Sequence, residues 1–159
     1  MRKRIIRQTA QEVAPTAPPW LDVEQLAQVE ITSEDPSHPI ESALRPGGGP
    51  GWQAAVSGKQ TIRLLFDAPQ RLRQIRLMFQ EDQHARTQEF ALQWSPDGGQ
   101  SYQSIVRQQY TFSLPDTTQE VEDYTVELNG VTALELHIIP DIGGGAVPAS
   151  LAGWYMVAT

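Results

Sequence analysis

The sequence predicts an all-β domain, a sandwich or barrel of about eight short antiparallel strands, and three observations carry that prediction. Apolar residues recur at every second position in several separate stretches, turn-forming residues divide those stretches, and no amphipathic helix of the length a βαβ unit needs lies between them. The clearest stretch is 89–102, Glu-Phe-Ala-Leu-Gln-Trp-Ser-Pro-Asp-Gly-Gly-Gln-Ser-Tyr. Phe90, Leu92 and Trp94 share one face of a period-two pattern, and Glu89, Ala91 and Gln93 share the other, which predicts a half-buried strand. Asp97-Gly98 then supplies a reversal, because Gly tolerates positive φ and Asp bonds its own backbone, so a hairpin is expected here.

The elements follow in chain order. Residues 1–19 contain Ala-Pro-Thr-Ala-Pro-Pro at 14–19 and read as an extended arm, since proline lacks an N–H and restricts its predecessor. Residues 20–27 suit a short helix or lead-in anchored by Trp20 and Leu21, and 28–33 a first strand. Two Pro/Gly loops, 36–39 and 45–51, bracket one expected helical turn at 40–44. Strands are then expected at 61–67, with Ile62, Leu64 and Phe66 inward, and at 72–80, with Ile75, Leu77 and Phe79 inward. The series continues with 88–95, 102–113, 121–128, 132–139 and 149–157. Residues 20–159 are read as one domain, a length sufficient for a single substantial core.

Composition narrows the function classes. The chain of 159 residues has a formal net charge of −7, yet four of its twelve basic residues lie in the first seven positions and all nineteen acidic residues come later. A body this acidic repels phosphate backbones, so nucleic acid is not an expected partner. Without cysteine there is no disulfide framework, thiol nucleophile or thiolate metal site. Arg2, Lys3, Arg4 and Arg7 look like the start of an export signal, but only Ile5 and Ile6 stand where roughly 7–15 apolar residues should follow. Cytoplasmic residence is therefore the default expectation. Short terminal charge runs are commonly just solvated ends.

The order of these features resembles the discoidin domains, or coagulation factor 5/8 type C domains, and the related family 32 carbohydrate-binding modules. The resemblance spans roughly residues 29–158. It rests on a loop ending in Trp52, the strands Thr-Ile-Arg-Leu-Leu-Phe-Asp (61–67) and Leu-Arg-Gln-Ile-Arg-Leu (72–77), the Phe-x-Leu-x-x-Ser-x-Asp-Gly hairpin at 90–98, Ala-Leu-Glu-Leu-His-Ile (133–138) and the closing Ala-Ser-Leu-Ala (149–152). It implies a jelly-roll β-sandwich of the galactose-binding-like fold. Members often bind a structural calcium through Ala-x-Asp-Gly before the tryptophan and a Glu after Ser-Leu-Ala. The matching positions here are Ala43-Leu44-Arg45-Pro46 and Gly153, and an Arg in place of an Asp opposes a cation, so no metal or other cofactor is expected.

Sugar-binding members hold their ligand on loops at one end of the sandwich. The corresponding connection is 80–86, in which Gln80, His84 and Arg86 donate and Glu81 and Asp82 accept, with His38 or Arg45 expected from the facing loop. These five residues, Gln80, His84, Arg86, His38 and Arg45, are the expected ligand contacts. The late loop, 141–147, carries no aromatic to stack on a sugar, and Trp52, Trp94 and Trp154 read as core anchors. Ile142 and Val147 at the tip of that loop are too small a pair to anchor a membrane. Tyr110 and Phe112 are expected to pack on the sandwich. An enzyme is not expected: His38, His84 and His137 are scattered, the triple glycines lack the Lys-Ser/Thr of a phosphate loop, and Glu81/Asp82 or Glu120/Glu122/Asp123 stand without a matching nucleophile. Two readings remain. One is a non-catalytic module that binds a glycan or other polyol; the other is a protein-interaction or assembly domain in which the basic, Pro-rich arm docks on a partner or a neighbouring copy.

Overall fold

The computed structural model describes residues 1–4, 19–47 and 49–159. Most of the expected arm therefore lies outside the described residues. A short helix α1 (Val23–Leu26) leads into β1 (Ala27–Ile31), and a single turn α2 (Ile40–Leu44) precedes β2 (Trp52–Ser57). The remaining strands are β3 (Gln60–Gln80), β4 (Arg86–Ser95), β5 (Gln103–Phe112), β6 (Gln119–Ile139), β7 (Pro148–Leu151) and β8 (Gly153–Ala158). All pairings are antiparallel, as the all-β, jelly-roll reading requires.

Two 21-residue strands organise the molecule. β3 and β6 pair from Gln60↔Ile138 to Gln80↔Gln119, with the register slipping between Leu65 and Gln74. The four short strands expected at 61–67, 72–80, 121–128 and 132–139 are thus the two halves of two long ones. The slip has a consequence for side chains. Ile62, Leu64 and Phe66 are buried before it and Ile75, Leu77 and Phe79 after it, so the inward positions change from even to odd. An irregular register of this kind bends a strand pair and lets each half serve a different layer. Along the first half the strand order is β1-β3-β6-β4-β5; along the second half β8 takes the edge of β3 that β1 occupies earlier. β2 and β7 form a separate two-stranded sheet.

Between the layers Phe79 stacks on Phe90 at 5.1 Å, and Trp52, Trp154 and Phe112 are each at most 1% exposed. Each such side chain contributes about 1.5–3 kcal/mol of hydrophobic stabilisation. Trp52 and Trp154 are the core anchors the pattern implies, while Trp94 is half-buried. Phe112 is fully buried, and Tyr110 packs against it at 5.1 Å and donates to Gln119 O at 2.9 Å.

Two elements differ from expectation. β2 was not foreseen, because Gln53-Ala54-Ala55 lacks the β-branched alternation of a strand; its pairing with β7 supplies the ladder instead. The last stretch is two strands rather than one, broken at Ala152, whose N–H bonds Met78 O at 2.8 Å. Between β4 and β5 the expected hairpin is present with a longer loop, closed by Asp97, which accepts the hydroxyls of Ser95 (2.7 Å) and Ser101 (2.6 Å).

Candidate functional site

The loops at one end of the sandwich enclose a depression of about 410 Å³. Its wall is assembled by three links between distant segments. Asp35 forms a turn with His38 (His38 N–H to Asp35 O, 2.8 Å), and this turn is clipped to β2 by Asp35 N–H to Gln53 O (2.8 Å) and Gln53 N–H to His38 O (3.2 Å). Gln53 in turn pairs with Ser150 of β7, whose hydroxyl reaches Gln80 O at 3.5 Å at the end of β3. Gly51 permits this approach: it has φ +87°, and a Cβ there would meet Leu151 O at 2.6 Å.

The opposite wall is the β3–β4 loop, which folds around Glu81. Its carboxylate accepts the N–H groups of Gln83 (3.1 Å) and His84 (3.3 Å), and its own N–H bonds Thr118 O at 2.7 Å. Arg86 Nε donates to Glu81 Oε1 at 2.6 Å. Burial works to raise the Glu81 carboxyl, but the hydrogen bond from Arg86 and those from the loop N–H groups outweigh it and hold the group below its ordinary value. Asp82, His84 and Gln80 are then presented to the depression facing His38, Gln53 and Ser150.

Three of the five residues singled out in the sequence meet here: Gln80, His84 and His38. Arg86 does not line the depression. Its side chain is 0% exposed, lies 4.8 Å over the Phe112 ring and donates to Pro140 O (2.7 Å) and Gln88 Oε1 (3.2 Å), so it supports the loop from beneath. Arg45 is exposed and paired with Glu24 at 2.6 Å, and it does not line the depression either. Gln53 and Ser150 were missed because the β2–β7 pairing that brings them to the wall had no signal in the sequence.

Among the described residues the lining holds amides, imidazoles, a hydroxyl and carboxylates, and no Lys or Arg. Such a set exchanges hydrogen bonds with hydroxyl groups in both directions and offers no cation to an anionic ligand. Trp52 reaches the floor but is 1% exposed, with its Nε1 donating to Ser33 O at 3.1 Å, so its ring face is not presented for stacking. The late loop lies apart from this lining. Asp141 caps the N–H groups of Gly143 (3.0 Å) and Gly145 (3.1 Å), Ile142 is exposed and Val147 is buried, so the apolar loop tip expected to hold both residues exposes only one of them.

The positions where a family member carries calcium ligands do not fit that ion. A Cβ on Gly153 would lie 2.8 Å from Tyr155 Cζ and Oη, so a Glu side chain there would collide with that ring. The Tyr155 hydroxyl sits 3.5 Å from Arg45 O, and the Arg45 guanidinium extends toward Glu24. Of the acidic residues considered as an acid/base group, Glu120 is buried and within hydrogen-bond reach of Glu122, whereas Asp123 is exposed and pairs with Arg76 at 2.7 Å.

No family model and no curated protein matches the chain. Solved structures do. A family 32 module of Clostridium perfringens NanJ in complex with galactose superposes with a TM-score of 0.64 at 12% identity, covering 87% of this chain and 97% of that one. The chain has the fold of family 32 carbohydrate-binding modules. A second module of that family from Clostridium perfringens, in complex with GalNAc-β-1,3-galactose, gives a TM-score of 0.63 at 17% identity, with 87% and 99% coverage. The chitosan-binding module 1 of a Paenibacillus chitosanase/glucanase gives 0.60 at 16%, with 86% and 98% coverage. The same fold also occurs in the N-terminal domain of the single-strand break repair protein XRCC1, with a TM-score of 0.57 at 13% identity and 82% and 97% coverage. Ligand chemistry must therefore be argued from the site.

Proposed function

We propose that this chain is a non-catalytic binding module that holds an uncharged glycan or similar polyol in the loop-end depression. His38, Gln80 and His84 are the contacts foreseen in the sequence, and Gln53, Asp82 and Ser150 complete the set. The observation that carries this reading is the convergence of hydrogen-bonding side chains from four separate segments on one depression in whose described lining there is no Lys or Arg. Modules of the same fold bound to galactose and to a GalNAc disaccharide support the ligand class. Without a stacking ring, affinity rests on hydrogen bonds to hydroxyls, each worth about 0.5–1.5 kcal/mol net, so weak binding with a dissociation constant near the millimolar range is expected.

The test is a glycan array followed by calorimetry on the best ligand, with and without a chelator. The expected result is one class of neutral sugar whose binding survives chelation and falls at least about tenfold in His84→Ala and in Asp82→Asn, a loss equivalent to about 1.4 kcal/mol. An array without hits, or a sugar bound equally well by both variants, would remove the depression as the site.

A further inference from the structure

A second depression, of about 220 Å³, lies away from the loop end on the outer face of the β3-β6-β4-β5 ladder. Strand register builds it. Thr61, His137, Ala91 and Arg107 stand side by side across β3, β6, β4 and β5, and Ile139, Glu89 and Gln109 form the next row. Ile62, Leu64, Leu136, Ile138, Phe90 and Leu92 fill the core, so these alternate positions face outward. Ala91 has the smallest side chain of its row and leaves a hollow floored by itself and Ile139. Lys59, just before β3, and Arg107, on β5, flank the hollow from opposite sides. Three strand spacings put those two backbones roughly 14 Å apart.

Most polar groups around the hollow already have partners. Glu89 accepts from Arg107 Nη1 (3.3 Å) and Gln109 Nε2 (3.0 Å). The neighbouring Glu135, with its side chain 6% exposed, accepts from Arg63 Nε (2.7 Å) and Gln93 Nε2 (2.9 Å) and pairs with His137 Nε2. His137 Nδ1 lies 2.9 Å from Thr61 Oγ1, so neither ring nitrogen is left for a ligand. Four features remain available: the Lys59 ammonium, the other N–H groups of the exposed Arg107, Gln93 Oε1 and the apolar floor. Among the described residues Lys59 has no carboxylate partner. The lining thus sets Lys59 and Arg107 against Glu89 alone, whereas the loop-end depression has Glu81 and Asp82 without a Lys or Arg among its described residues. An excess of cationic donors selects a carboxylate, and an acceptor beside an apolar floor suits the hydroxyls and C–H face of a sugar ring.

We propose that this hollow is a second binding site that takes an acidic sugar, a uronic acid ring. Its C–H face lies on Ala91 and Ile139, its carboxylate meets Lys59 and Arg107, and one of its hydroxyls donates to Gln93 Oε1. The site is separate from the loop-end depression in both place and charge.

Titration of the isotope-labelled full-length chain with sodium glucuronate, followed by amide shifts at constant ionic strength, tests this, with glucose and sodium acetate as the comparison ligands. Glucuronate is expected to shift the Lys59, Ala91 and Arg107 amides and to saturate near the millimolar range, with glucose and acetate each at least about tenfold weaker. Lys59→Ala and Arg107→Ala should each weaken glucuronate at least about fivefold. Ala91→Leu fills the floor while keeping every charge, and it should abolish saturable binding. Glucose as tight as glucuronate would remove the role of the cations, and acetate as tight would leave an adventitious anion only; either result overturns the proposal. So would the absence of saturable shifts, shifts mapping to His84 and Asp82 instead, or an unchanged midpoint in Lys59→Ala or Ala91→Leu. A blank result for neutral sugars at the loop end leaves these outcomes as they are.

Discussion

The loop-end depression and the interior between β4, β5 and β6 are built from the same kinds of side chains, and they put them to opposite uses. Around the depression, Gln80, His84 and Asp82 point toward solvent and take little part in the internal hydrogen bonding. In the interior, Arg86 donates to Glu81, Gln88 and Pro140 and Gln88 donates to Glu120 (3.1 Å), and beside them the half-buried Gln108 donates to Glu122 (2.6 Å) and Tyr124 donates to Gln108 (2.6 Å). Buried polar groups must find partners to offset desolvation, whereas exposed ones are satisfied by water and remain available to a ligand. Residue type alone does not separate the two uses. Arg86 shows this most clearly, because it is chemically suited to a sugar hydroxyl and is spent on an interior carboxylate.

The sharpest way to break the contrast is to remove Arg86. Arg86→Met should destabilise the fold by about 3–5 kcal/mol, since it leaves Glu81 charged and unpaired beneath the loop. Urea denaturation followed by tryptophan fluorescence would show it, and a loss below about 1 kcal/mol would place Arg86 with the dispensable rim residues.

A smaller effect is expected from Glu120. Its side chain is 1% exposed, and burial, followed by the hydrogen bond with Glu122, pushes its carboxyl up to about 8 from an ordinary 4.5. The folded state then keeps a proton that the unfolded chain has released. The stability tied to this group is complete below about pH 4.5 and is lost as pH rises through about 8, with a slope of at most about 1.4 kcal/mol per pH unit. Urea midpoints measured from pH 5 to 8 should fall with pH in the wild type and lose that component in Glu120→Gln. Equal slopes in the two proteins would remove Glu120 as the source.

The smallest effect on stability should come from the rim. His38→Ala and His84→Ala are expected to change unfolding free energy by about 0.5 kcal/mol or less while reducing sugar binding. If either variant unfolds as readily as Arg86→Met, the rim is structural and the contrast fails.

Much of this molecule is legible in its residues. The inward positions of both halves of β3, the faces of β4 and β6, the helical turn at α2 and the core placement of Trp52 and Trp154 all follow from period-two alternation and residue size, which are local properties. The site was legible in part. Gln80, His84 and His38 were foreseen because turn residues and polar composition mark loops, and the family resemblance says which loops face each other. Gln53 and Ser150 were not, since they reach the depression only through the β2–β7 pairing.

By itself, then, the sequence determined an all-β chain with a particular set of buried faces, an acidic body and a basic leading segment, because alternation and charge belong to short stretches of chain. Only the tertiary structure decided that Arg86 turns inward to Glu81, that Arg45 turns away to Glu24, and that Tyr155 occupies the space beside Gly153 where a longer side chain would lie. The physical reason is that a side chain's partners are set by strand register and by the bend in β3 and β6. Both depend on pairing between residues some 40 to 80 positions apart, which no local pattern encodes.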